Sequence, residues 1–283
     1  MNAPATEHWR RQLADWALPE NLLSAVPDSP YSWPETLWKR RAASAIERGE
    51  ITPTTTRVAT LAGEGGSVLD VGAGTGRASL PLARLGHPVT AVERNPGMLA
   101  GLSELAAGLP VQVVSGSWPE VSDRVGDHAV SMCAHVVYDV AEVGPFLQRL
   151  AARASAGVVI ELTETHPWTH LGPYYEALHG LARPSGPSAD HLSNVVVEVL
   201  GVRPTLDRWT RPPDLWFESR QEIIELYARR LVLPANRWSE LEDLLAPEII
   251  ERDGRFLFGN DMRRFVTMWW GFPDSTSVDQ PAP

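Results

Sequence analysis

"VLDVGAGTGRAS", residues 68–79, places three glycines within five positions directly after an apolar run that is broken by an aspartate. Ser67 to Val71 read as a buried strand, and Leu80, Leu82 and Ala83 stand at helical spacing, so the glycines fall on a strand-to-helix turn. Glycine serves such a turn in two ways: it enters positive φ without a Cβ penalty, and it lets backbone amides approach a ligand closely. A tight bend needs one glycine, so Gly72, Gly74 and Gly76 together point to a bound ligand. Their spacing is G-x-G-x-G. The dinucleotide fingerprint would need its third glycine at the position of Arg77, and no Gly-Lys-Ser or Gly-Lys-Thr follows to make a P-loop.

Around this turn, residues 66–164 alternate short apolar runs with helical patterns, the signature of βαβ units and a doubly wound parallel sheet. Strands are expected at Ser67 to Val71, Val89 to Val92, Val111 to Val114, His128 to Cys133 and Gly157 to Leu162, and Asn95-Pro96 reads as an N-cap followed by a first-turn proline. Upstream, helical periodicity over His8 to Trp16 and Pro34 to Arg48 is broken by AVPDSPYSWP. Downstream come helices around Leu171 to Leu181 and Ala189 to Leu200, then a strand at Val202 to Trp209. Two further helices carry the capping-box patterns Ser219-x-x-Glu222 and Ser239-x-x-Glu242, and a last strand is expected at Arg264 to Trp270. The tail PDSTSVDQPAP reads as disordered. No internal repeat is visible.

The 283 residues suit one large α/β domain with additions or two small ones, and 43% hydrophobic residues support a sizeable core. No apolar stretch reaches about 18 residues and MNAPATEHWRR lacks a hydrophobic signal region, so the expected address is the cytoplasm with no membrane contact. The single cysteine, Cys133, excludes an intrachain disulfide and a multi-thiolate metal site; within AVSMCAHVV it reads as a buried, inert thiol. A net charge of -10 argues against the broad basic face that nucleic-acid binding requires, although Trp38-Lys39-Arg40-Arg41 forms a local basic patch. Lys39 is the only lysine beside 24 arginines, which leaves almost no candidate for Schiff-base chemistry.

A ligand with a ribose calls for an acidic residue about 20 positions past the glycine turn, at the end of the next strand, where it can accept from vicinal hydroxyls. Glu93 stands there. Taken together, "VLDVGAGTGRASLPLA" and "VTAVERNPGML" resemble motif I and the motif after it in the class I S-adenosylmethionine-dependent methyltransferases. "SGSWPEV" resembles their adenine-contacting loop, and "AHVVYDVAEVGPFLQRLA" their fourth-strand exit and following helix. The resemblance covers about residues 60–165 well and the later strands more loosely. It implies a Rossmann-like seven-stranded sheet in the order 3-2-1-4-5-7-6, the last strand antiparallel, with helices on both faces. It also implies S-adenosylmethionine as cofactor and no metal. Residues 61–165 would be the cofactor-binding core, 1–60 an N-terminal helical lid, and 166–272 the rest of the fold, with a helical insertion before the last strand and the substrate pocket; 273–283 would be the disordered tail.

Carried onto this sequence, the resemblance puts the methionine portion over Gly72, Ala73, Gly74, Thr75 and Gly76, with Asp70 at the strand end. Glu93 would hold the ribose hydroxyls, Arg94 would flank the adenine, and Ser117 and Trp118 would line its ring, Ser117 standing where many members have aspartate. Past the fourth strand, His135 or Tyr138 could orient the acceptor or take its proton; alternatively His135 contacts the cofactor's amino acid end while Tyr138 packs. Tyr31, Trp33, Tyr138 and His166 are candidate acceptor contacts. The aromatics outside the core read either as a lid and pocket wall or as packing of small helical layers. In ELTETHPWTH, Glu161, Glu164, His166 and His170 have metal-like spacing but read as a solvated loop face. The expected function is methyl transfer to a small-molecule acceptor by in-line displacement. An RNA or protein methyltransferase using the basic patch, or a noncatalytic relative, are the alternatives.

Overall fold

A computed structural model describes residues 3–32, 34–259 and 262–272. Trp33 and the tail at 273–283 lie outside the described residues. Ten strands run in chain order: β1 (Val68–Val71), β2 (Val89–Glu93), β3 (Val111–Ser115), β4 (His128–Ala134), β5 (Ala154–Thr163), β6 (Thr205–Arg211), β7 (Trp216–Phe217), β8 (Ile249–Arg252), β9 (Arg255–Phe258) and β10 (Arg263–Gly271). Seven of them make one sheet in the order β3-β2-β1-β4-β5-β10-β6. All neighbours from β3 to β5 pair in parallel, and β10 runs antiparallel between β5 and β6. The expected strand order and the reversed last strand are therefore present.

Four helices precede the sheet: α1 (Ala5–Ala14), α2 (Glu20–Leu23), α3 (Glu35–Glu47) and α4 (Pro53–Ala62). α5 (Leu80–Arg84), α6 (Pro96–Leu105) and α7 (Val143–Ala152) follow β1, β2 and β4; α8 (Gly172–His179) and α9 (Ala189–Leu200) separate β5 from β6; α10 (Arg220–Arg230) and α11 (Trp238–Leu245) lie between β7 and β8. All four residues of β1 are buried, as in a parallel strand covered on both faces. Successive residues feed opposite layers. Leu69 and Val71 join Trp9, Phe146, Leu150 and Leu192, whereas Val68 joins Val58, Leu82, Leu102 and Met132. A third apolar cluster, with Tyr175, Phe217, Ile223, Leu241 and Phe258, holds α8, α10, α11 and the small sheet together.

The amino-terminal segment is anchored to this frame. Trp9 is fully buried and its Nε1 donates to the Val140 carbonyl at 3.0 Å, while α1 packs on α7 and α9. α4 crosses the expected 60/61 boundary; its Thr54 hydroxyl meets that of Thr267 on β10 at 2.7 Å. The insertion before the last strand is not wholly helical, because β7, β9 and β8 form a second sheet. Its β8–β9 turn, Asp253-Gly254, has positive φ at both residues (53° and 70°), the conformation that Asp-Gly favours in a two-residue hairpin.

Asn95 caps α6 as expected, accepting from the amides of Gly97 and Met98 at 2.8 and 3.1 Å. Ser219 caps α10, but the Glu222 carboxylate accepts from the Glu218 amide instead of completing a box. Ser239 caps nothing: α11 begins at Trp238, so the serine falls inside its first turn. No helix among the described residues is long and apolar enough to cross a membrane.

Candidate functional site

A cavity of about 1160 Å³ opens at the carboxyl edge of the large sheet, where open α/β sheets bind ligands. One wall comes from the turns after β1, β2, β3 and β4. Gly72 and Gly74 both take the left-handed conformation (φ 71° and 57°) and line this wall. They differ in what surrounds them: a Cβ on Gly72 would come within 2.4 Å of Val136, whereas one on Gly74 would meet nothing within 4 Å. Gly76 plays another part. Expected under the methionine portion, it does not line the cavity, and a Cβ there would collide with Leu80 and Leu102, so the structure gives it a close-packing part.

Two carboxylates mark the same wall. Asp70 is buried at the end of β1, and neither of its oxygens has a hydrogen-bond partner among the described residues. Burial, reinforced by the nearby Glu93 charge, raises its pKa to about 7. Glu93 is instead occupied: its carboxylate accepts from the amides of Gly74, Arg94 and Asn95, each at 2.8 Å. The side chain predicted to face a ribose thus also ties the glycine turn to the β2 exit. Thr75 fastens the turn to α3 by donating its hydroxyl to the Trp38 carbonyl at 3.0 Å. Ala73, Arg94, Ser117 and Trp118 line the cavity, Ser117 exposed and Trp118 held by its Nε1 donating to the Phe146 carbonyl at 3.2 Å.

His135 lines the cavity past β4, in a left-handed conformation (φ 60°). Its amide donates to the Glu161 carbonyl at 2.9 Å and its Nε2 lies 3.1 Å from Glu161 Oε1. Arg77 reaches the same oxygen at 2.5 Å. Despite the burial penalty, Arg77 and His135 hold Glu161 well below the usual carboxylate range. An ionised carboxylate only accepts, so Nε2 carries the proton and Nδ1 is left as the ring's acceptor. Burial lowers the His135 pKa, which keeps the ring neutral near pH 7.

Tyr138 is not part of this wall. Its hydroxyl meets the Thr163 carbonyl and Oγ1 at 2.9 Å, its ring belongs to the buried core, and burial pushes its pKa up. A phenol so placed cannot serve as the acceptor's base. ELTETHPWTH is likewise not a solvated face: Glu161 is buried against Arg77, and His166 is buried with its ring stacked on Trp16 at 4.0 Å. Burial, then the Arg183 charge, lowers His166 to about 3. Among the described residues no three His, Cys, Asp or Glu side chains are grouped to hold a metal.

Residues 68–157 match the sequence model of a family described as a methyltransferase domain. By this match residues 68–157 are a methyltransferase domain, and the strand order is the one expected of the family that the sequence resembles. The chain is 37% identical over 84 residues to a ubiquinone biosynthesis O-methyltransferase of Azorhizobium caulinodans, a match covering 29% of this chain and 33% of that protein. It thus spans about a third of that relative's length. Among solved structures it is similar to magnesium protoporphyrin IX methyltransferase from Synechocystis PCC 6803 with bound S-adenosylhomocysteine (12% identity, TM-score 0.45, covering 92% of each chain). It is also similar to precorrin-6y C5,15-methyltransferase from Geobacter metallireducens (12% identity, TM-score 0.44, covering 77% of this chain and 84% of that one).

The second wall of the cavity lies largely beyond the matched residues. Tyr31 and His166, both expected there, line it together with Trp168, Tyr174, Tyr227, Arg230, Phe258, Arg263 and Phe265. Tyr31 is half-exposed and stacks on Trp168 at 5.6 Å. No local motif announced the others, which come from five separate chain segments. The basic patch is neutralised from within: Lys39 pairs with Glu104, Arg40 with Glu218 and Glu222 at 2.8 and 2.5 Å, and Arg41 with Asp214 at 2.8 Å.

Proposed function

We propose that this protein binds S-adenosylmethionine on the glycine-turn wall and transfers its methyl group to a small-molecule acceptor held against the aromatic wall. The observation that carries this reading is the single cavity of about 1160 Å³ reaching from Gly74 to Tyr227. Ligand pockets commonly measure roughly 300 to 1,000 Å³, and this cavity exceeds that range, as one that takes cofactor and acceptor side by side would. The residues suit the cofactor: Gly74 leaves open space for the methionine portion, and Asp70 offers a buried carboxylate without a partner to a cationic ligand.

When bound, S-adenosylmethionine would supply a transferable methyl group on a positively charged sulfur. Asp70 and the Thr75 amide would hold the amino acid portion, Glu93 would accept from a ribose hydroxyl through the one lone pair that its three backbone bonds leave, Arg94 would flank the adenine, and Ser117 and Trp118 would line it. His135 takes the acceptor's proton on Nδ1, with Glu161 fixing the tautomer. Alignment and exclusion of water do most of the work; proximity alone can lower a barrier by roughly 7 to 11 kcal/mol. Residues 1–60 form a helical cap over the cavity, 61–165 the cofactor-binding core, and 166–272 complete the acceptor pocket. An RNA or protein substrate bound through Trp38-Lys39-Arg40-Arg41 is disfavoured, because each of its three cations already faces a carboxylate.

Calorimetry with S-adenosylhomocysteine, followed by a turnover assay with S-adenosylmethionine and a panel of small acceptors, tests this reading. Absence of S-adenosylhomocysteine binding would overturn it; binding with no turnover on any acceptor class would favour the noncatalytic alternative.

A further inference from the structure

On the proposed reading of the cavity as cofactor site plus acceptor pocket, we propose that the acceptor carries a carboxylate, received by Arg263 and Arg230. Arg263 opens β10 and Arg230 closes α10, and both line the aromatic half of the cavity. Tyr227, one turn before Arg230 on α10, lines the same half of the cavity. The Arg230 guanidinium lies over the Trp168 ring at 4.9 Å, and one of its arms donates to the Pro30 carbonyl, so its direction is fixed before any ligand arrives.

The carboxylates of this half are already committed. Glu164 pairs with Arg264 at 3.2 Å and Arg208 at 3.4 Å, and Glu248 accepts from the Tyr174 hydroxyl. Asp139 is shared, its charge reaching Arg230 while it stands 3.9 Å from Arg94. Among the described residues no carboxylate lies within 4.0 Å of the Arg263 guanidinium. In a chain of net charge -10, a cavity wall whose Arg263 guanidinium meets no acid among the described residues is a place where an anion completes the charge balance. A planar guanidinium fork matches a carboxylate with two parallel hydrogen bonds, and Trp168, Tyr174 and Phe258 offer apolar surface to the body that bears it.

The test uses a panel of small aromatic carboxylates, their matched carboxamides and matched phosphate monoesters, titrated by calorimetry into the whole protein with and without S-adenosylhomocysteine. Carboxylates should bind at least about tenfold tighter than their amides, the size expected of hydrogen bonds to a charged group. Arg263→Gln should bring the two within about threefold and leave S-adenosylhomocysteine affinity unchanged, while Arg263→Lys should retain part of the preference. The proposal is overturned if no carboxylate binds, if amides bind equally well, if the preference survives in Arg263→Gln, or if phosphate monoesters bind tighter. Because the panel is also run without S-adenosylhomocysteine, failure of the cofactor to bind would sink the parent reading and leave the carboxylate preference separately measured.

Discussion

On the glycine-turn side of the cavity the wall is built from tight backbone turns at strand exits: Gly72, Gly74 and Thr75 after β1, Arg94 and Asn95 after β2, Gly116 after β3. Across from it the wall is side chain, with rings from Trp168, Tyr174, Tyr227 and Phe258 and guanidinium groups from Arg230 and Arg263. The backbone wall is confined to the exits of consecutive strands and stiffened by local bonds such as Gly74 to Glu93. The side-chain wall gathers residues from α8, α10, β9 and β10, which only the packing of a separate apolar cluster brings together. Backbone recognition restricts which residue types can stand at a position, because positive φ and close approach favour glycine. Recognition by side chains restricts them only through shape and charge, so that half can change its ligand while the other stays fixed.

Substitutions on the two walls should therefore give different readouts. The largest effect is expected from Gly74→Val: a β-branched residue at φ 57° is strained by about 1 to 3 kcal/mol and fills the open space beside the turn. A folded Gly74→Val protein should bind S-adenosylhomocysteine more than about a hundredfold more weakly by calorimetry; undiminished affinity would end the backbone-cradle account. Glu93→Ala comes next, with a loss of about ten- to 150-fold, since hydrogen bonds to a charged group contribute about 1.5 to 3 kcal/mol. A change below about threefold would make Glu93 a brace for the turn and nothing more.

Asp70 gives a pH signature. Its pKa is raised from 3.8 to about 7, so the folded protein holds a proton that the unfolded chain has lost between those values. Its contribution to stability consequently falls as pH rises through that window and is level above it. A cationic cofactor favours the ionised form, so S-adenosylmethionine affinity should climb by up to about tenfold per pH unit toward pH 7 and then flatten. Calorimetry across this range checks the slope, and Asp70→Asn should abolish it. The smallest effect belongs to Tyr138→Phe: turnover should change by less than about threefold with cofactor affinity intact, while thermal unfolding registers a loss of about 1 kcal/mol for the bond to Thr163. A hundredfold fall in turnover would return Tyr138 to the chemistry.

The same asymmetry governs what the sequence could disclose. The turn at Gly72 to Gly76, the acid at Glu93 and the cap at Asn95 are local signals, each readable within a few residues, and the sheet followed from them. Gly76 was assigned to the ligand because spacing alone cannot separate a glycine that clears space for a cofactor from one that clears space for Leu102. Tyr138 misled for a similar reason: a one-residue difference from Asp139, which does line the cavity, turns the side chain into the core. Glu161 falls within the expected fifth strand, and it is the solvated face given to ELTETHPWTH that fails there: its carboxylate is buried against Arg77 from the β1 turn. Its partner is 84 positions away, a separation that no periodicity encodes. The second sheet did have a sign in Asp253-Gly254, but strands of two and four residues are too short to show alternation. Arg230 and Arg263 had none, since a lone arginine is common and only the fold makes them neighbours of one cavity.

Cys133 sits on β4 at the middle of the large sheet, fully buried, with burial pushing its thiol pKa up. A thiol reagent can reach it only after β4 separates from its layers, and the sequence contains no other cysteine to compete. The wild-type chain is therefore its own clock for opening of the sheet. The rate at which a chromogenic disulfide labels Cys133 should slow when ligand closes the carboxyl edge, by a factor that reports binding energy without any engineered probe.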